Sequence, residues 1–449
     1  MVGLGLLSLG GYALDLHALF GTELRVLGIY VGLFAALFAL YLLAAWVVLR
    51  PAANDPTLLA LVLGFGVLFR LAVLPSPVVL SSDLFRYLWD GRVQWAGINP
   101  YRYPPAAPEL APLRDDSIFP NINRPTKRTV YPPGAQVTFA AVAAVAPNSV
   151  VAWRVFLLGC EIATGVLLLR LLGRMGMPLV AVIVYAWAPL AIFEGVQAGH
   201  LEAAMLPPLL LALLWRQHGR MARAGAALGV AVLIKLYPAV LVLAWWRRRE
   251  WKFPTACAAV VAAGYLPYLA GVGAGVLGFL PEYFGRDEDF NVGLRYFVTD
   301  ALGLGSDAAR AAAMLALFAA LLVVLVRVHR GLGEDAHGVF QAGAAAVSAY
   351  LLLVPTAMHP WYALWMLPFL TLAPSAAWLW FTGAVTLSYL GYVWQPAPFP
   401  GWLRALEFWP LYGLLLWNAT ARRGAGAGAG TREGAASSLR ASRPGSPSP

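Results

Sequence analysis

Apolar stretches of membrane-spanning length recur from one end of this chain to the other, and nothing else constrains its fold as strongly. Hydrocarbon offers no partners for free backbone N–H and C=O groups, so such stretches must become helices. Composition agrees, since 60% of residues are hydrophobic and only 12% charged, against roughly 25% charged in soluble domains. The mean hydropathy is +0.69. The expected class is an all-α polytopic membrane protein with about 12–14 transmembrane helices. Lys and Arg number 32 against 22 Asp and Glu. They sit mostly at span ends or in one polar loop, which argues against nucleic acid as a partner. Cys160 and Cys257 both lie inside apolar runs, so a disulfide framework is not expected. The N-terminus lacks a basic leader and a cleavage site, so Leu4 to Leu19 reads as a retained span.

Short cytoplasmic loops are enriched in Lys and Arg, and this orients the chain. Spans are expected near 4–20, 25–49 and 57–74, with Arg50 cytoplasmic. The polar stretch 76–134 then lies outside. It is basic for an external loop, carrying Arg86, Arg92, Arg102, Arg114, Arg124, Lys127 and Arg128. Either these charges have work to do or they meet anionic head groups. The run 135–146 is too short to span and reads as an interfacial helix. Further spans follow near 151–172, 178–193 and 201–215. The segment 223–246 has arginines at both ends and Lys235-Leu236-Tyr237-Pro238 at its midpoint. Two short helices meeting near Lys235 satisfy the charge pattern, with Pro238 opening the second. Spans near 253–271, 308–326, 339–357, 361–373, 375–394 and 402–419 complete a membrane domain over 1–423. The tail 424–449, rich in Gly, Ala, Ser and Pro, is expected to be a disordered cytoplasmic extension.

The external loop opens with Ser81-Ser82-Asp83 and an amphipathic stretch of about three turns. Asp83, Arg86, Tyr87, Asp90 and Gln94 fall within about 60° of one direction. Leu84, Phe85, Leu88, Trp89 and Trp95 take the other side, with Arg92 among them. By the same parity the turn 193–202, Lys235 and His359 share the external face with that helix. A cavity there would hold carboxylates beside cations: the first can take a proton from a hydroxyl, the second can hold a phosphate leaving group. Plainer roles compete at every position. Asp83 could cap its helix, and Asp90 could be the i,i+4 partner of Arg86. Lys235 could pair with Glu161 or Glu194, and His359 could bond a backbone carbonyl before Pro360. Tyr87, Trp89, Tyr101, Tyr103, Tyr131, Trp361 and Tyr362 suit sugar faces but also the aromatic belt of an interface. Arg70, flanked by apolar residues, needs a partner, and Asp83 is a candidate. Neither a His/Cys cluster nor an Asp-x-Asp pair marks a metal site in the loop, and the acidic run 287–289 is not assigned one.

Ser82-Asp83, Arg86-Tyr87-x-Trp89-Asp90-Gly91-Arg92 and Gly97-x-Asn99-Pro100-Tyr101 together resemble membrane glycosyltransferases of the GT-C fold. The nearest group is the bacterial polyprenyl-phosphate-mannose-dependent mannosyltransferases, glycosyltransferase family 87 and its relatives. Tyr131-Pro132-Pro133, Gly199-His200-Leu201-Glu202, Lys235-Leu236-Tyr237-Pro238 and His359-Pro360-Trp361-Tyr362 are similar to that family's later landmarks, in order, over about 57–420. The resemblance implies transfer of a hexose, mannose by analogy, from a polyprenyl-phosphate donor to a lipid or glycan acceptor on the external face of the plasma membrane. It implies Asp83 as the catalytic acid or base, with His359 beside it. Arg86, Tyr87, Asp90, Arg92, Gln94, Asn99, Tyr101, Tyr131, His200, Glu202, Lys235, Trp361 and Tyr362 become the candidate substrate-binding set. Many relatives carry a double acid where this chain has Ser82-Asp83, which leans against metal dependence; no resident cofactor is expected, and a divalent cation stays an open question. A transporter or flippase of lipid-linked sugars shares the apolar bulk and the intramembrane charges. It would favour repeated halves, and only one broken region is evident here. A lipid-linked glycan ligase or polymerase would place its largest external loop late in the chain rather than early.

Overall fold

The computed structural model describes residues 1–14, 25–50, 55–285, 288–331, 333, 335–394 and 399–420. Among these the regular structure is helical, and one parallel bridge joins Phe290 to Ala357. The principal helices are α1 (Val2–Tyr12), α2 (Arg25–Leu49), α3 (Pro56–Val73), α4 (Asp83–Trp95), α5 (Pro133–Val145) and α6 (Val150–Arg174). After them come α7 (Glu202–Gln217), α8 (Met221–Ile234), α9 (Lys252–Leu269), α10 (Asp307–Arg330), α11 (Ala336–Leu353) and α12 (401–420). Polar side chains start several of them. Asp55, Ser149, Ser306 and Asp335 each accept a hydrogen bond from a backbone N–H in the first turn of α3, α6, α10 and α11.

Among the described residues four helices are long and apolar enough to cross a membrane: Val26–Leu49, Pro56–Val73, Val150–Arg174 and Asp307–Arg330. The expected single span over 178–193 is instead a bent pair, Leu179–Ala186 and Ala191–Gln197, with 62° between its halves. Pro189 explains the break, because it has no N–H to donate and disfavours helical backbone at Ala188. The second half is a π-helix, the wider form that often marks irregular backbone at a functional site. Carbonyls freed at the break find partners. Arg70 Nη1 donates to Ala186 O (2.7 Å) and Tyr41 Oη to Val184 O (2.9 Å). Arg70 also pairs with Glu161 at 2.7 Å, so Asp83 is not its partner. The spans expected at 361–373 and 375–394 each combine a 3-10 piece with a short α-helix. The break expected in 223–246 falls at Lys235, which ends α8 in extended backbone; Pro238 lies in the 3-10 turn before Val240–Trp245. Arg422-Arg423, the tail 424–449 and the end of the first expected span lie outside the described residues.

The densest packing joins α8 to α9 and α7, and α7 to α6, while α5 seats α4. The α4–α5 contact depends on Gly91. A Cβ there would stand 2.7 Å from Phe139 O and 3.0 Å from Ala143 Cβ. α4 ends by a local signal as well: Ile98 N–H reaches back to Val93 O at 3.1 Å, and Gly97 takes φ 75°, a left-handed closure that favours glycine.

Candidate active site

Asp83 stands in the first turn of α4, where the helix N-terminus favours a carboxylate. Its carboxylate makes no cap bond; Ser82 holds the cap position. Instead Asn123 Nδ2 donates to Asp83 Oδ1 at 2.6 Å. Asn123 belongs to the basic loop, and the following Arg124 adopts left-handed backbone at φ 48°. One turn along α4, Arg86 pins the same loop by donating to Lys127 O at 3.1 Å. Among the described residues no cation stands within ion-pair distance of Asp83.

Asp83 and Arg86 line a cavity of about 890 Å³. Its polar lining comprises these two with Asn123, Arg124, Lys127, Arg128, Lys235, Glu288, Asp289 and His359. Its apolar lining includes Leu27, Val240, Phe318, Leu321 and Val354. Phe318 and its α10 neighbour Leu315 are more than half exposed, a lipid-facing pattern for a spanning helix. Tyr131, Tyr237, Tyr283, Trp361, Tyr362 and Tyr392 complete the wall.

Lys235 enters the cavity from the break after α8. Its ammonium lies 2.9 Å from Glu202 Oε1, and Tyr237 Oη donates to the same oxygen at 3.2 Å. Glu202 is fully buried, so its charge is stabilised only by these partners. The Lys235 ammonium also stands 5.4 Å from the centre of the Tyr131 ring and 6.0 Å from that of Tyr362. Across the cavity Trp361 lies between two imidazoles, with His200 at 3.9 Å and His359 at 4.3 Å between ring centres. The stack continues through Phe290 (4.6 Å from His359) to Tyr392 (5.2 Å further). The 290–357 bridge sets this register, since Phe290 and Met358 exchange backbone bonds with 356–358 and 290. Burial pushes His359 down to about 3, with the negative charge of Asp83 acting in the opposite sense. His359 is therefore a neutral imidazole at physiological pH, and among the described residues its Nδ1 has no hydrogen-bond partner.

Of the residues singled out in the sequence, Asp83, Arg86, Tyr131, Lys235, His359, Trp361 and Tyr362 come together at the cavity. The others are placed behind it. Asp90 pairs with Arg86 at 2.8 Å and accepts from Gln136 at 3.0 Å. Tyr87 is buried and stacks on Phe139 at 4.9 Å. Gln94 accepts from Tyr268 (2.9 Å) and donates to Gln136 O (2.9 Å). Asn99 donates to Tyr268 O (2.8 Å), and Tyr101 donates to Tyr131 O (2.7 Å). Arg92 points away, onto Asp115, Asn148 and Leu113 O. His200 is buried against Glu194 at 3.1 Å, and Glu202 supports Lys235 from below. Lys235 thus pairs with neither Glu161 nor Glu194. Much of the basic loop is neutralised locally, with Arg124 on Glu288 and Lys127 on Glu282. Sequence reasoning missed Asn123, Tyr283, Tyr392 and Glu288 as lining residues, although Asn123 lies in the basic loop and Glu288 in the acidic run that drew notice. Among the described residues no three His, Cys, Asp or Glu side chains form a group that could hold a metal ion; the other carboxylates lining the cavity, Glu288 and Asp289, are paired with Arg124 and with Arg295 and Arg310.

Residues 10–248 match the family described as alpha-(1->6)-mannopyranosyltransferase, N-terminal domain. That stretch contains α4, α5, the loop between them, Glu202 and Lys235. No curated protein and no solved structure matches the chain. The matched residues make up more than half of the sequence, and the chain belongs to this mannosyltransferase family.

Proposed function

We propose that this mannosyltransferase takes mannose from a polyprenyl-phosphate carrier and delivers it to a glycan or lipid acceptor on the extracytoplasmic side of the membrane. The observation that carries the reading is the mixed lining of the large cavity, in which Asp83, Arg128 and Lys235 share the wall with apolar side chains, among them Phe318 and Leu321 of the strongly exposed helix α10. A ligand that joins a charged head to a hydrocarbon tail matches both kinds of lining. The family description names a (1->6) linkage, so the acceptor group is read as a primary 6-hydroxyl.

In this mechanism Asp83 takes the proton of the acceptor hydroxyl as the oxygen attacks the anomeric carbon of mannose from the face opposite the phosphate. The C1–O bond to phosphate breaks, its electron pair leaves with the lipid phosphate, and the configuration inverts. Lys235 and Arg128 stabilise the departing charge. Asn123 fixes the carboxylate by its Oδ1 and leaves Oδ2 for the proton. Asp90 and Glu202 are poorer bases, because each already neutralises a cation.

Purified Asp83→Asn, given polyprenyl-phosphate-mannose and a mannoside acceptor, is expected to lose transfer by about 10²–10⁴-fold, the usual share of a general base. It should unfold at the parent temperature. Transfer by Asp83→Asn at the parent rate would remove Asp83 from this role, and movement of the donor across a bilayer without a new glycoside would favour a flippase.

A further inference from the structure

α7 and α8 form a hairpin with a charged feature at each end. At one end Glu202 and Lys235 form the floor of the large cavity. At the other, fourteen residues away along each helix, Arg216 and Met221 line a second cavity of about 150 Å³. At about 1.5 Å per residue the two cavities are separated by about 21 Å of helix. The small cavity is far larger than the roughly 10–15 Å³ that one water needs.

Its charged walls are Arg174, Arg216, Arg247, Glu250 and Asp335. Of the two carboxylates, Glu250 pairs with Arg216 Nη2 at 2.9 Å within the cavity wall, which leaves a net excess of cations there, and Asp335 Oδ1 caps α11 by accepting from Gly338 N–H at 3.0 Å. The arginines retain donors. Arg216 is 4% exposed; among the described residues its Nη1 meets the Met221 sulfur (3.3 Å) and its Nε has no hydrogen-bond partner. The side-chain nitrogen and oxygen of Gln217 are likewise buried and unpartnered. Arg174 touches His218 at 3.0 Å, and Arg247 donates to Gly333 O. Buried donors without partners are costly, and a polar occupant removes that cost. Three guanidiniums with fixed N–H forks match a tetrahedral oxyanion.

The geometry points to a second binding site, for a phosphate group, built from Arg174, Arg216, Arg247 and Gln217 at the end of the hairpin opposite the large cavity. It is independent of the proposed transfer chemistry and uses none of its residues. The phosphate belongs either to a soluble phosphate compound or to the head group of an anionic lipid, since both present the same oxygens.

The test uses the full-length chain, purified in detergent and titrated calorimetrically with inorganic phosphate. In parallel, protein recovered from nanodiscs of phosphatidylglycerol or of phosphatidylcholine is examined by native mass spectrometry. Arg247→Gln and Arg174→Gln keep polar side chains at positions reached by solvent, so either variant serves should the other unfold. Saturable phosphate binding weakened about tenfold in these variants supports the site with a soluble ligand. One phosphatidylglycerol retained by the parent and lost in the variants, without a response to inorganic phosphate, supports it with a lipid ligand. Absence of both, or binding equal in parent and variants, overturns it.

Discussion

The Lys235–Glu202 pair yields a prediction in which the two halves of one ion pair differ in cost. Glu202 is fully buried, whereas the Lys235 side chain keeps 13% of its surface at the cavity. Lys235→Met therefore strands a carboxylate whose remaining partner is the Tyr237 hydroxyl at 3.2 Å. Removing one partner of a buried pair costs about 3–5 kcal/mol. Glu202→Gln leaves an ammonium that cavity water can solvate, beside Tyr131 and Tyr362, and should cost about 1–2 kcal/mol, nearer the loss of a charged hydrogen bond. The double variant Lys235→Met, Glu202→Leu should recover most of the loss, because no unpaired charge remains. Denaturant unfolding in detergent measures all three. Transfer should be lost in both Lys235 variants, including the stable double one, and only weakened in Glu202→Gln. Equal destabilisation by the two single variants, or a greater loss in Glu202→Gln, would refute the argument from burial.

Gly91→Ala should destabilise by about 1–3 kcal/mol, the usual cost of overpacking, because its Cβ meets Phe139 O at 2.7 Å; thermal unfolding checks it. Arg70→Met should cost about 3–5 kcal/mol, since it leaves Glu161 buried without its cation and Ala186 O without its donor; the same unfolding assay reports it. His359 gives a pH dependence. Its folded value, held down to about 3 by burial, lies below the ordinary value of 6.5. The unfolded chain thus binds the proton first as pH falls, and stability drops from about pH 6.5 downward by at most about 1.4 kcal/mol per unit. His359→Gln should flatten that slope, read as unfolding midpoint against pH.

Helix positions were largely legible, because long apolar runs and α4's polar stripe are periodic signals that survive burial in lipid or protein. The break at Lys235 was legible for a different reason: arginines at 223 and 247–249 cannot both sit at cytoplasmic ends of one span. The π-helical kink after Pro189 was not read, since 178–193 is apolar throughout and its one internal proline carries the signal. At the cavity, motif residues and helix-face arithmetic brought forward Asp83, Arg86, Lys235 and His359. They gave no means of choosing which charge is already spent. Asp90, Arg92 and Gln94 are as polar in sequence as Asp83, and only contacts to Gln136, Asp115 and Tyr268, from 23 to 174 residues away, set them behind the wall. Asn123 carries no motif at all, and its role follows from a loop that folds back over α4.

The α7–α8 hairpin has a consequence for the bilayer around it. Some 21 Å separates its two charged ends, against a hydrocarbon thickness of roughly 30 Å. With the arginine end at one interface, the Lys235–Glu202 pair lies well short of the other, at a depth normally reserved for lipid tails. Either head groups sink locally to meet it, at a fraction of a kcal/mol per Å of mismatch, or the large cavity brings water down to it. In both cases membrane thickness becomes a variable of the enzyme, and bilayers of shorter acyl chains should suit it better than thick ones.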